Sequence, residues 1–153
     1  MNEINILALD DDDEAIELML SDLQQTLSET GEFRLGYFKV YPDWSSFKEH
    51  LEKAGQGEKE FFRPNILLLD HILETPEGKI RVYEQYLEEI INVYPTAIRF
   101  GLSGVFRAQQ VTKYIKSNQL YDFIEKSDLL DTVEKLKAAI FLVNAKKAIL
   151  YGE

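Results

Sequence analysis

The chain has 153 residues and a mass of 17.7 kDa, with 45% hydrophobic and 29% charged residues. That is one ordinary globular domain, expected over 1–153, and neither a collagenous nor a disordered chain. A formal charge of −10 and the absence of cysteine disfavour nucleic acid and anionic lipid as direct partners and exclude disulfides, thiolate metal sites and cysteine nucleophiles.

Ile4 to Leu9 is a short apolar run that ends in Asp10–Asp13. The period then changes: Ile16, Met19, Leu20, Leu23 and Leu27 recur at helical spacing behind an acidic first turn, and Gly31 closes the helix. Phe33 to Tyr41, rich in aromatic and β-branched residues, predicts a strand stopped by Pro42 and Asp43. Asp43 or Ser45 is expected to cap a short helix carrying Phe47 and Leu51. Gln56 to Glu60 is linker-like.

Pro64 opens the cleanest strand, Ile66 to Leu69, which is apolar throughout and ends in Asp70. Such a strand is buried on both faces, as in a parallel sheet covered by helices. A polar loop through Thr75, Pro76 and Gly78 leads to a helix with Val82, Tyr86, Leu87, Ile90 and Ile91, broken by Pro95. Ala97 to Leu102 is the fourth strand, ending in Ser103–Gly104, and a helix with Val111, Tyr114 and Ile115 follows. Tyr121 to Ile124 is the fifth strand, ending near Lys126, and the last helix runs from about Leu129 to Tyr151.

Five strand–helix repeats predict an α/β fold: a five-stranded parallel sheet, doubly wound (βα)5 and flavodoxin-like, with helices on both faces. Ligands of such sheets bind outside the carboxyl ends of the strands. Those ends carry Asp10, Asp11, Asp70, Ser103 and Lys126. Taken singly, each has an ordinary explanation as a cap, a turn or a surface residue. Taken in order, they bring carboxylates, a hydroxyl and an ammonium to one edge. Close carboxylates repel one another, and a hard divalent cation such as Mg2+ relieves this. Lys126 and Ser103 suit a phosphoryl group, and an aspartate can accept one covalently. The chemistry this predicts is phosphoryl transfer to a carboxylate.

The segments NILALDDDDEAIEL, PNILLLDHILETPEG, IRFGLSG and DFIEKSDLL resemble, in this order, the response-regulator receiver domains of two-component signal transduction, of the stand-alone CheY-like kind. The resemblance implies that Asp10 and Asp11 hold Mg2+ together with Asp70 and the backbone carbonyl of Ile72. It implies that Asp70 is the phosphoacceptor, that Ser103 and Lys126 contact the phosphoryl group, and that Phe123 is the aromatic switch position, turning inward when Ser103 engages the phosphate. It further implies a histidine kinase or histidine phosphotransfer protein as donor and a downstream protein target. No enzymatic activity is expected beyond self-phosphotransfer and self-dephosphorylation. Two residues depart from the family pattern: Glu74 and Ser127 stand where it usually has proline. The Lys126–Ser127 peptide is expected to be trans. The segment 33–64 is longer than usual.

Two alternatives are weighed against this reading. A haloacid-dehalogenase-like phosphatase would use Asp10, Asp12, Ser103 and Lys126 with late acids Asp128 and Asp131, but it leaves Asp70 without a role. A phosphorylation-independent protein-binding module of the same fold would need none of the acceptor set. Cytoplasmic localisation without membrane insertion is expected, since the opening residues have neither a basic leader nor a cleavable apolar segment. His71 is expected to be packed or hydrogen-bonded, and His50 to lie at the surface.

Overall fold

A computed structural model describes residues 2–31, 33–56, 63–103, 108–126 and 128–151. The elements in chain order are β1 (Asn2–Leu9), α1 (Asp13–Thr30), β2 (Phe33–Tyr41), α2 (Trp44–Gly55), β3 (Ile66–Asp70), β4 (Ile72–Thr75), β5 (Gly78–Arg81), α3 (Val82–Gln85), α4 (Leu87–Val93), β6 (Ile98–Ser103), α5 (Ala108–Lys116), β7 (Asp122–Glu125) and α6 (Leu129–Tyr151).

Five strands form one sheet in the order β2-β1-β3-β6-β7, every pair parallel. This is the doubly wound architecture that the strand–helix alternation predicts. Side-chain alternation divides the sheet between two cores. Ile4, Ile6, Ala8, Ile66, Leu68, Phe100, Leu102 and Ile124 pack with the α1 residues Leu20, Leu23 and Leu27 and the α6 residues Leu136 and Ile140. Leu7, Leu9, Leu67, Leu69 and Phe123 face Phe47 and Leu51 of α2, Val82 and Tyr83 of α3, Leu87 and Ile90 of α4, and Tyr114 of α5. Burial of Ile66 through Leu69 is complete, which explains why that strand carries no polar alternation.

The order changes direction between β1 and β3, whose connections leave toward opposite edges. The crevice beyond their carboxyl ends is the topological switch point. Asp10 follows β1 there and Asp70 ends β3.

Three features depart from the sequence expectation. The loop after Asp70 contains a separate two-stranded antiparallel ribbon, β4–β5, joined by Pro76 and Glu77. Its turn rests on Gly78 at φ +130°, a conformation that glycine alone adopts freely, and on Thr75 Oγ1 donating to the Gly78 carbonyl at 2.7 Å. The helix expected through Val82 to Ile91 is broken at Tyr86, which has φ −132° and ψ −5°. There the Tyr86 ring stacks on Trp44 at 3.8 Å, a tertiary contact in which both rings lie nearly parallel. His50 is buried rather than at the surface, being 3% exposed. It belongs to the inward stripe of α2 with Trp44, Phe47 and Leu51, and Asp43 caps that helix by accepting from Ser46 N–H at 2.8 Å. Gly57 to Phe62, which include most of the linker-like stretch, and Ser127 lie outside the described residues.

Candidate functional site

The acidic residues after β1 divide between capping and the crevice. Asp12 occupies the N-cap position of α1 but makes no side-chain cap bond, and Asp13 and Glu14 supply the acidic first turn. Asp10 extends the β1 path, donating its N–H to the Tyr41 carbonyl at 3.0 Å. Its side chain is fully buried, and Oδ1 accepts the Asp12 N–H at 2.8 Å. Asp11 is exposed, and its Oδ2 accepts the Glu74 N–H at 3.3 Å. The β4–β5 ribbon thereby touches the acidic cluster.

Asp70 is 7% exposed. Carboxylate oxygens of Asp10, Asp11 and Asp70 all lie within 4.8 Å of one another. Lys126, just after β7, reaches the same point: its Nζ stands 2.6 Å from Asp10 Oδ2 and 3.3 Å from Asp70 Oδ2. The second contact is a hydrogen bond. The first is the shorter, a charge-assisted contact between the ammonium and the buried Oδ2 of Asp10. Among the described residues, three carboxylates face one ammonium, which leaves an excess of negative charge in the crevice.

The electrostatics follow from that excess. Burial and the neighbouring Asp10 charge raise the Asp70 pKa to about 7, against the opposing pull of Lys126. Burial also raises Asp10, although the Lys126 and Asp12 contacts counter it. Lys126 moves the other way. Burial alone would lower its pKa, but the bond to Asp10 and the charge of Asp70 outweigh that and raise it.

The donor set fits a hard divalent cation. Octahedral oxygens about 2.1 Å from magnesium stand about 3 Å apart when adjacent and about 4.2 Å apart when opposite, so a small adjustment of three carboxylates already within 4.8 Å closes on an ion. The buried Oδ2 of Asp10 faces the Lys126 ammonium at 2.6 Å, so the site already places positive charge at an atom suited to ligate a cation.

The structure therefore brings Asp10, Asp11, Asp70 and Lys126 together. Ile72 opens the ribbon two residues after Asp70 and pairs with Arg81. Ser103 ends β6 beside Glu125, and its side chain lies outside the described residues. Phe123, expected to turn inward when Ser103 engages a phosphoryl group, points inward in this structure and is 3% exposed. The late acids that a phosphatase reading requires are elsewhere. Asp128 accepts the Asp131 N–H at the start of α6, and Asp131 pairs with Lys135 at 3.1 Å.

Sequence reasoning missed Tyr83. Its ring is buried, and its hydroxyl donates to the Leu69 carbonyl at 2.6 Å, one residue before Asp70. Burial and then the Asp70 charge push that phenol well above its ordinary range. His71 is packed, as expected. It stacks on Tyr83 at 4.3 Å, and its Nδ1 accepts the Tyr83 N–H at 3.3 Å. Burial lowers the pKa of this imidazole.

A response-regulator receiver domain protein from Clostridium thermocellum superposes with a TM-score of 0.60 at 15% identity, covering 96% of this chain and 98% of that one. The BeF3-activated receiver domain of DrrB gives 0.60 at 19% identity over 90% and 97% of the two chains. The fold is that of receiver domains. A response regulator protein from Burkholderia pseudomallei, solved with a phosphorylated aspartic acid, a calcium ion and citrate, gives 0.56 at 17% identity over 97% of this chain and 75% of that one. No protein-family model matches the sequence, and no curated protein matches it either. Among the described residues no helix is long and apolar enough to cross a membrane.

Proposed function

We propose that the chain is a phosphoacceptor receiver domain: Asp70 takes a phosphoryl group with the help of Mg2+, and the signal leaves through protein contacts. The observation that carries this is the meeting of Asp10, Asp11, Asp70 and Lys126 at the switch point of a receiver fold.

In this proposal Asp10 and Asp11 hold the cation together with Asp70 and the Ile72 backbone carbonyl. A bound cation neutralises the developing charge on the phosphoryl oxygens and lines up donor and acceptor. Asp70 presents a carboxylate oxygen to phosphorus, the bond to the donor's leaving group breaks, and an acyl phosphate forms. Lys126 keeps the Asp70 carboxylate oriented before transfer and offers its ammonium to the phosphoryl oxygens afterward. Ser103, at the end of β6, supplies a hydroxyl donor. The ionised form of Asp70 is the nucleophile, and its burial beside Asp10 opposes that ionisation, which a cation held by Asp10 and Asp11 would favour.

The proposed donor is a histidine kinase or a histidine phosphotransfer protein, the proposed output a protein target, and the compartment the cytoplasm. No turnover of an external substrate is proposed. The resemblance to receiver domains and the calcium-bearing relative support the cation. Asp128, which caps the start of α6, and Asp131, paired with Lys135, remove support from a phosphatase.

The test is incubation with acetyl phosphate. Mass spectrometry is expected to record one added phosphoryl group with MgCl2, none with EDTA, and none in Asp70→Asn. Equal labelling of Asp70→Asn would overturn the assignment.

A further inference from the structure

The inward position of Phe123 has a structural cause in the neighbouring strand. Gly101 of β6 lies in register between Leu69 of β3 and Phe123 of β7. Among the described glycines only Gly31 and Gly78 have positive φ, so the backbone does not require glycine at 101. Space does. A Cβ at this position would run into Phe123 Cε1, stand 2.7 Å from Phe123 Cζ, and stand 2.5 Å from the Tyr83 hydroxyl. The ring and the phenol fill the volume that a side chain would take.

The second wall of this notch is fixed. Tyr83 is anchored through its hydroxyl to the Leu69 carbonyl and clamped by the stacked His71 ring. It meets Phe123 edge-on at 6.1 Å and Tyr114 edge-on at 5.3 Å. Rotating Phe123 outward would empty a notch bounded by a strand backbone and an immobilised phenol. It would also break the edge contact between the Phe123 and Tyr83 rings.

We infer that Phe123 is a fixed pillar of the β6–β7 core, held inward by the Gly101 notch and Tyr83 whatever the state of Asp70, and therefore does not rotate as a switch. The inference deepens the receiver reading in that it assigns this chain's response to elements other than the Phe123 ring. The packing claim itself does not depend on that reading.

The experiment is NMR on the full chain with isotope-labelled aromatic rings, first with EDTA and then with magnesium and beryllofluoride. Contacts from the Phe123 ring to the Tyr83 ring and to Gly101 Hα are expected in both conditions, with no exchange between two ring positions. Their absence in EDTA, or their gain or loss on adding beryllofluoride, would overturn the inference. The Asp70 amide reports separately whether beryllofluoride binds. A silent Asp70 amide counts against the phosphoacceptor proposal, while the pillar is then judged on the contacts in EDTA. Gly101→Ala is expected to abolish the Phe123–Tyr83 contacts, and their survival in that variant would also overturn it. The wild-type comparison decides the matter if the variant does not fold.

Discussion

Two buried polar clusters sit in this protein, and they solve the same problem in opposite ways. His50 lies between two phenols: Nδ1 is 2.8 Å from the Tyr41 hydroxyl and Nε2 is 2.9 Å from the Tyr94 hydroxyl. Both ring nitrogens have partners, as a neutral imidazole with one donor and one acceptor allows. Burial and the charge of Lys39 lower its pKa to about 4. The crevice at Asp10, Asp11, Asp70 and Lys126 is the reverse. It gathers more negative than positive charge, sets the Oδ2 atoms of Asp10 and Asp70 against one ammonium, and drives Asp70 up to about 7. The first cluster is complete without a ligand and serves stability. The second carries an excess of negative charge that the proposed cation would offset.

The largest expected effect breaks the complete cluster. His50→Ala leaves a cavity and strips partners from Tyr41 and Tyr94, and Tyr94 is buried. A loss of about 3 kcal/mol is expected in urea unfolding. A loss below about 1 kcal/mol would mean that water replaces the imidazole without penalty.

A pH series sharpens the contrast. The folded pKa of His50 lies below the unfolded value of 6.5, so the unfolded chain binds the extra proton first. Stability from this group is full above pH 6.5 and falls as the pH drops toward 4, by up to about 3 kcal/mol. The fall is expected to disappear in His50→Gln. Asp70 has the opposite sign. Its folded pKa lies above 3.8, so its contribution is most favourable below pH 3.8 and is lost as the pH rises through 7. In EDTA at pH 8, Asp70→Asn is therefore expected to unfold at higher urea than the parent, by about 2 kcal/mol. A destabilised Asp70→Asn at that pH would show that the carboxylate is not frustrated.

The same distinction explains what was legible in the sequence. Strand–helix alternation and the unbroken apolar run Ile66–Leu69 point to the sheet, because a two-faced buried strand has a signature of its own. The strand-end positions of Asp10, Asp70 and Lys126 predict their meeting, since a parallel sheet puts those ends on one edge. His50 is hidden only by residue type. It falls six residues after Trp44 and three after Phe47, on the buried stripe of α2, and its spacing was the available signal. The β4–β5 ribbon turns at Pro76-Glu77 between two four-residue strands, too short for alternation to stand out. The break at Tyr86 and the Gly101 notch depend on partners far along the chain, Trp44 and Phe123. No local pattern encodes either.

A magnesium titration at pH 8, against NaCl of equal ionic strength, tests whether the acidic crevice binds a divalent cation. The predicted result is a saturable shift of the Asp11 and Asp70 amides. At ten times Kd it should be accompanied by about 1.4 kcal/mol of added stability, and both effects should vanish in Asp10→Asn/Asp11→Asn. Indistinguishable behaviour in magnesium and sodium would contradict it.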